Sequence, residues 1–278
     1  VSKWLWIAAI GVLAGCQGQP QNTIVDHGGY RLETLHQAQG ADQRIRFLVM
    51  HYTAEDFHSS LKTLTDEHVS AHYLLPARPP VQNGKPLAYQ LVPEQMRAWH
   101  AGASQWRGRS GLNDTSIGIE IVNRGYQRRL LSQSWQPYTP QQIALLTELA
   151  RDIIARYGIQ PVDVVGHSDI APQRKQDPGP LFPWRQLAQA GVGAWPDPGV
   201  VQHYLAGRKP QAPVPMLPLL AKLARYGYTV DAKWDARQQH NLLAAFQMHF
   251  RPSDYRGEPD AESEAIIDAL LQKYPPAR

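Results

Sequence analysis

The stretch Ile45-Arg46-Phe47-Leu48-Val49-Met50-His51-Tyr52 decides the fold. Its apolar run is nearly continuous, the mark of a strand buried on both faces. It ends on His51, a polar side chain placed where the strand gives out into a loop. Two other stretches repeat the device. In Ile117-Gly118-Ile119-Glu120-Ile121 the three isoleucines share one face and Glu120 points to the other, beside Gly118, where a missing side chain leaves room. Val162-Asp163-Val164-Val165 predicts a third strand, which delivers His167 into a loop. Residues far apart in sequence can in this way meet at one edge of a sheet.

Working outward, Val69 to Leu75 and Leu87 to Val92 predict further strands around the Pro- and Gly-rich residues 76–86. A helix opens at Thr139-Pro140-Gln141-Gln142, with Thr as N-cap, Pro at the first helical position and Gln three residues after the cap. Ile143, Leu146, Ala150, Ile153, Ile154 and Tyr157 then form one apolar stripe, and Gly158 ends it. Strands mixed with helices predict an α/β domain over residues 30–190, with a central mixed β-sheet flanked by helices. Residues 191–215 are rich in Pro and Gly and weakly periodic, as expected of a linker. Beyond them Leu217 to Tyr226, Asp235 to Phe250 and Asp260 to Tyr274 predict a small C-terminal three-helix domain over residues 216–275, with Asp235 and Asp260 as N-caps.

The N-terminus predicts a destination. Lys3 precedes an apolar run from Trp4 to Ala14 that is too short to cross a bilayer and reads as a secretory signal. Leu13-Ala14-Gly15-Cys16 resembles the lipobox of bacterial lipoproteins, in which that Cys carries the lipid. Residues 1–16 are therefore expected to be a signal with lipidation at Cys16, and residues 17–29 a tether. Gln17 stands where an Asp would imply inner-membrane retention, so the resemblance implies an outer-membrane lipoprotein facing the periplasm of a Gram-negative bacterium. A single Cys allows no intramolecular disulfide. Across 278 residues, 43% hydrophobic and 19% charged is globular composition. A net charge of +4 without a dense basic run does not single out nucleic acid and suits a polyanionic wall or membrane surface. With an anchor supplying attachment, a monomer is expected.

Eleven histidines make position the only guide among them. His51, His167, Glu120 and Asp177 all sit where strands or stiff loops end. Two imidazoles and one carboxylate can hold a zinc ion with a position open for water, and a second carboxylate can serve as base. That is the smallest kit for hydrolysing an amide. His72, His100 and, beside His167, Asp169 are rival ligands that spacing does not exclude. Asp177 is presented from the stiff loop Asp177-Pro178-Gly179-Pro180, where Pro178 favours an extended residue before it. Lys175, two residues earlier, would point the same way in an extended chain, although by residue type alone it reads as a surface lysine.

Taken together, Val49-Met50-His51-Tyr52-Thr53, Val69-Ser70-Ala71-His72-Tyr73, Ala98-Trp99-His100-Ala101-Gly102, Asn113 to Glu120, Val165-Gly166-His167 and Arg174 to Pro180 resemble, in this order, the type 2 N-acetylmuramoyl-L-alanine amidases. These are zinc enzymes related to peptidoglycan recognition proteins. The resemblance implies their fold, one zinc ion per chain on His51, His167 and Asp177, Glu120 as general base and Lys175 as stabiliser of the transition state. Tyr52, Thr53 and His100 would border the substrate, a peptidoglycan strand or muropeptide cut between N-acetylmuramic acid and L-alanine. Some relatives carry Cys for the ligand Asp and Tyr for the Glu. This chain keeps both carboxylates, which implies the hydrolytic branch that accepts anhydro-sugar ends, in cell-wall turnover or remodelling. Ala245 to Pro252, with Gly257 and Asp260, resembles a peptidoglycan-binding domain. Two rivals stay open, a recognition protein without catalysis and a zinc peptidase cutting within the stem peptide. Arg107 and Arg124 are candidates for a stem carboxylate.

Overall fold

A computed structural model describes residues 24–129 and 132–276, so the expected signal, Cys16 and most of the tether lie outside the described residues. The chain divides into two units, residues 1–42 and 43–278. In the first, β1 (Ile24–Asp26) pairs antiparallel with β2 (Arg31–Glu33) around a turn in which the Gly28 N–H donates to Asp26 Oδ1 at 2.8 Å.

The second unit is built on a mixed five-stranded sheet. Its strands are β3 (Phe47–Tyr52), β4 (Tyr73–Leu75), β7 (Tyr89–Gln90), β10 (Ser116–Ile121) and β13 (Val164–Gly166), in the spatial order β13-β3-β10-β4-β7. All neighbours are parallel except β4 and β7. Three short ribbons lie outside it: β5 (Val81–Gln82) with β6 (Lys85–Pro86), β8 (Gln105–Trp106) with β9 (Arg109–Ser110), and β11 (Tyr126–Arg129) with β12 (Ser132–Trp135). The expected strands at 69–75 and 87–92 are shorter than their patterns, because Ser70 bonds the Trp99 loop and Leu87 bonds Pro80 instead of a ladder partner.

The alternation in β3 sorts two cores. Leu48 and Met50 join Ile117, Ile119 and Ile121 under helix α2 (Pro140–Tyr157), whereas Phe47 and Val49 face Ala101, Trp106 and Leu112. Burying each such side chain is worth about 1.5–3 kcal/mol, so a one-residue slip of either strand would be heavily penalised. Helix α2 starts and stops as its sequence predicts: the Thr139 hydroxyl accepts from the Gln142 N–H and Gly158 closes it at φ 65°. The Gln142 side chain does not reach back to the cap. It donates to the carbonyls of Leu75 and Val122, tying the helix to two strand ends.

Five helices follow or precede the motifs at short length or beyond them: α1 (Phe57–Leu64), α3 (His167–Ile170), α4 (Trp184–Gln189), α5 (Pro198–Leu205) and α6 (Met216–Tyr226); α7 (Ala236–Phe250) and α8 (Ala261–Lys273) complete the chain. Asp235 caps α7 reciprocally with Gln238, and Asp260 caps α8 through the Ser263 N–H. The stretch read as a linker holds α5, which packs on α8. The apolar residues of α6, α7 and α8 continue the same core that contains Phe47 and Val49 of the sheet. Among the described residues no helix is long and apolar enough to cross a membrane.

Candidate active site

Sheet pairing assembles the site. His51 on β3 is flanked on one side by β10, where Glu120 is its register partner, and on the other by β13, whose end passes directly into His167. His167 therefore opens a short helix instead of sitting in a loop. Asp177 returns to the same place because the Ser168 N–H donates to its carbonyl at 2.8 Å. Gly166 is needed there, since a Cβ on it would lie 2.6 Å from Pro178 Cδ. The Asp177-Pro178 peptide is cis, and the Tyr138 hydroxyl donates to the Pro178 carbonyl at 2.7 Å.

Three acceptor atoms converge. His51 Nδ1 and His167 Nδ1 are 2.9 Å apart, and each is 3.1 Å from Asp177 Oδ2; all three residues are buried. Their hydrogen-bond partners say where the protons are. His167 Nε2 lies 3.1 Å from the Ala101 carbonyl, which can only accept, and 3.3 Å from the Arg174 guanidinium, which can only donate but is itself spent on that carbonyl; the shorter contact puts the proton on Nε2 and leaves Nδ1 bare. His51 Nε2 is 3.0 Å from His100 Nδ1, His100 Nε2 is 3.1 Å from Ser116 Oγ, and Ser116 Oγ is 2.7 Å from the Leu112 carbonyl. The carbonyl at the end of this relay forces every proton to point toward it, which leaves His51 Nδ1 bare as well. Two bare nitrogens and a carboxylate oxygen facing one another repel unless a cation lies between them. An N2O donor set with its outer nitrogens fixed by hydrogen bonds fits a zinc ion.

The charges agree. Burial, with the neighbouring His167, brings His51 down to about 4. Burial alone would raise Asp177, yet attraction to the positive, protonated forms of the facing imidazoles, His167 first and then His51, outweighs it and holds the carboxyl well below the usual carboxylate range. Burial, followed by the Asp177 charge, pushes Glu120 up to about 8 against the pull of Lys175. Glu120 Oε2 is buried without a hydrogen-bond partner, a group awaiting one.

A cleft of about 360 Å³ opens over the cluster, with Tyr52, Thr53, Trp99, His100, Glu120 and Lys175 among its walls. Burial and the Asp177 charge raise Tyr52 to about 12, and its ring lies on Gly125, where a Cβ would come within 2.4 Å. Gly118 makes room for the His100 ring, not for Glu120: a Cβ there would lie 2.4 Å from His100 Cγ.

The rival ligands are spent elsewhere. His72 Nδ1 accepts from the Gly118 N–H at 3.0 Å and its Nε2 faces the Met96 carbonyl at 3.2 Å. His100 uses both nitrogens in the relay. Asp169 accepts from the Gly166 N–H, Tyr228 and His249. Arg107 does not line the cleft; its Nε lies 3.6 Å from Asp163 Oδ1 and its backbone N–H donates to the Gly227 carbonyl. Arg124 borders a neighbouring hollow, near Asp56 at 3.5 Å. Sequence reasoning gave no role to Ser116, to Asn113, whose Oδ1 accepts from the N–H groups of His100 and Ala101, or to Arg174, whose guanidinium grips the Ala101 and Ala103 carbonyls. Their partners are mostly backbone atoms of distant segments, which no spacing reveals.

Comparison with known proteins follows the same outline. A family model described as N-acetylmuramoyl-L-alanine amidase matches residues 41–180. The N-acetylmuramoyl-L-alanine amidase AmiD of Escherichia coli (strain K12) is 59% identical over 271 residues, 98% of this chain and 97% of its own length. The solved complex of AmiD from E. coli with the substrate anhydro-N-acetylmuramic acid-L-Ala-D-gamma-Glu-L-Lys is similar with a TM-score of 0.88 at 60% identity, covering 91% of this chain and 99% of the other. AMPDH3 from Pseudomonas aeruginosa, solved with anhydromuramic pentapeptide, gives 0.79 at 43% identity, covering 91% and 99%.

Proposed function

The chain belongs to the N-acetylmuramoyl-L-alanine amidase family, and from that membership we propose that it hydrolyses the amide joining N-acetylmuramic acid, anhydro form included, to L-alanine in peptidoglycan and its fragments. His51, His167 and Asp177 hold one zinc ion in this reading. The observation that carries it is the triangle of proton-free acceptors beside a partnerless carboxyl.

Bound zinc supplies Lewis acidity to the attacking water and to the scissile carbonyl. Glu120 takes the proton of that water at its carboxylate and returns it to the leaving nitrogen, which would otherwise depart as an unstable amide anion. The Lys175 ammonium, on the cleft wall, faces the oxygen that gathers negative charge. Tyr52 and Thr53 border the substrate. His100 lines the cleft and also holds His51 Nε2, which keeps the Nδ1 lone pair turned inward.

The helical segment α6 to α8 grips the wall in this reading, as its resemblance to peptidoglycan-binding domains suggests. The lipobox resemblance at Cys16 supports a lipid anchor in the outer membrane, with a monomeric enzyme facing the periplasm.

Mass spectrometry of products from a disaccharide-tetrapeptide and its anhydro counterpart tests the activity. Disaccharide plus tetrapeptide is expected from both. A peptide cut within the stem, or intact substrate, would overturn the reading.

A further inference from the structure

The segment that carries two of the three acceptors, His167 to Asp177, is fastened to the C-terminal helices at a second buried carboxylate. Asp169, buried, receives three hydrogen bonds: the Gly166 N–H at 2.7 Å and His249 Nδ1 at 2.7 Å on Oδ2, and the Tyr228 hydroxyl at 2.6 Å on Oδ1. Only the first comes from its own neighbourhood. The His249 ring is clamped between Trp184, at 3.8 Å and 12°, and Phe250, at 3.9 Å and 11°. Its Nε2 is buried without a partner, so the bond to Asp169 is the ring's polar contact among the described residues. Tyr228 is buried against Trp106, with ring centroids 4.8 Å apart. Further along, Gln173 Nε2 donates to the Gln238 carbonyl at 2.9 Å and Gln173 Oε1 accepts from Asn241 at 3.2 Å, both on α7.

These ties bear on the metal. Asp169 joins Gly166 to the far helices, and Gly166 is the residue that hands β13 over to His167 and receives Pro178 after Asp177. A shift of Asp169 therefore bears on both acceptors relative to His51, whose strand β3 pairs with β13 on one side but is also held by β10 on the other.

We infer that the C-terminal helical segment is the second half of the metal site: Tyr228, in the connection between α6 and α7, and His249, on α7, are positioning residues that, through Asp169, hold the His167 to Asp177 segment in ligand geometry. The inference rests on the proposed zinc reading and adds to the helices a task distinct from gripping the wall. Removing the Tyr228 hydroxyl leaves a buried carboxylate with one donor fewer, which costs more than the bond itself returns. The segment then relaxes toward other donors.

The test uses the full chain, with Tyr228→Phe, which keeps the ring and removes the donor, His249→Phe, which keeps an aromatic ring in the slot and removes the donor, and Gln173→Ala, an exposed change that does not threaten folding. Lys222→Ala is the control, since it cuts bonds to Glu264 and Asp268 between α6 and α8 far from Asp169. Zinc affinity is read by competition with a chromogenic chelator, geometry by the visible absorption of the cobalt-substituted protein, and stability by Tm. Tyr228→Phe and His249→Phe, which act on the ligands only through Asp169, are each expected to weaken zinc several-fold, at most about the tenfold that follows loss of a hydrogen bond made to a ligand itself, and to alter the cobalt bands. Gln173→Ala should weaken zinc less, and Lys222→Ala should lower Tm alone. Parental zinc affinity and cobalt bands in all three strap variants would overturn the inference. A parent chain that binds no zinc would overturn the functional reading itself, which keeps the two failures apart.

Discussion

Glu120 and His51 are register partners on adjacent parallel strands, β10 and β3, so their side chains leave the sheet on the same face. Neighbouring strands lie about 4.8 Å apart, which places the carboxyl beside the imidazole without any loop having to fold over it. The backbone ladder therefore sets the distance between base and metal cage. Ile119 and Ile121, one residue to either side of Glu120, are fully buried on the opposite face, and they make the register costly to lose.

Glu120→Gln should separate chemistry from metal binding. The amide keeps the shape and cannot take a proton, so kcat on a disaccharide-tetrapeptide is expected to fall by about a hundredfold or more. Zinc content by atomic absorption should stay at the parental value. Parental turnover by the variant would remove Glu120 as base.

The raised Glu120 also has a signature in stability. It titrates near 8 in the folded, zinc-stripped protein and at its ordinary 4.5 when unfolded. Between those values the folded chain keeps a proton that the unfolded chain has lost, so stability declines as pH rises through this window. His51, lowered to about 4 from 6.5, works in the opposite sense until its unfolded form has lost its proton, as do the lowered His72 and His100, and depressed Asp177 matters only in acid; these contributions are shared by parent and Glu120→Gln, so the difference between the two from pH 6.5 to 8 reads Glu120. Relative to chelated Glu120→Gln, chelated parent protein should lose Tm as pH rises across that range, by a few °C for a difference on the order of 1 kcal/mol. Equal slopes would contradict the burial of a neutral carboxyl.

Removing the metal should expose the repulsion within the triangle. A chelator is expected to abolish activity and lower Tm, with both restored by zinc; at free zinc a hundredfold above Kd the stabilisation is about 2.7 kcal/mol. His51→Ala should lose zinc and activity together, and its Tm should no longer respond to zinc. Full activity after exhaustive chelation would take the metal out of the reaction.

The strands were legible because burial on two faces leaves a continuous apolar run and burial on one leaves alternation, as in Phe47 to Met50 and Ile117 to Ile121. The ends of those strands are fixed points, which is why His51 and His167 could be singled out and are found together with Asp177. His72, His100 and Asp169 could not be sorted in advance. Their parts depend on partners such as the Met96 carbonyl, Ser116 and Tyr228, which only the tertiary fold brings to them. Helices α1, α4 and α5 escaped for a different reason. Each has eight residues or fewer, too short for a helical period to stand out, and α5 begins at Pro198-Gly199 inside a stretch whose Pro and Gly content reads as linker.

Gly118 offers the sharpest test of the relay behind His51. A Cβ at this position would lie 2.4 Å from Cγ and 2.6 Å from Nδ1 of His100, and the surrounding residues Ile117, Ile119 and Ala101 are fully buried, so the ring has nowhere to retreat without dragging its bonds to His51 and Ser116. Gly118→Ala should therefore cost about 1–3 kcal/mol in stability as an overpacked core does. It should also weaken zinc by about tenfold, because His51 loses the partner that fixes its tautomer. Ser116→Ala leaves the ring seated and removes the acceptor of His100 Nε2–H together with the donor to the Leu112 carbonyl, so its loss of zinc affinity should be smaller than that of Gly118→Ala. Chelator competition on both variants reads the order directly. The reverse order would mean that the proton polarity of the relay matters more to His51 than the seat of the His100 ring.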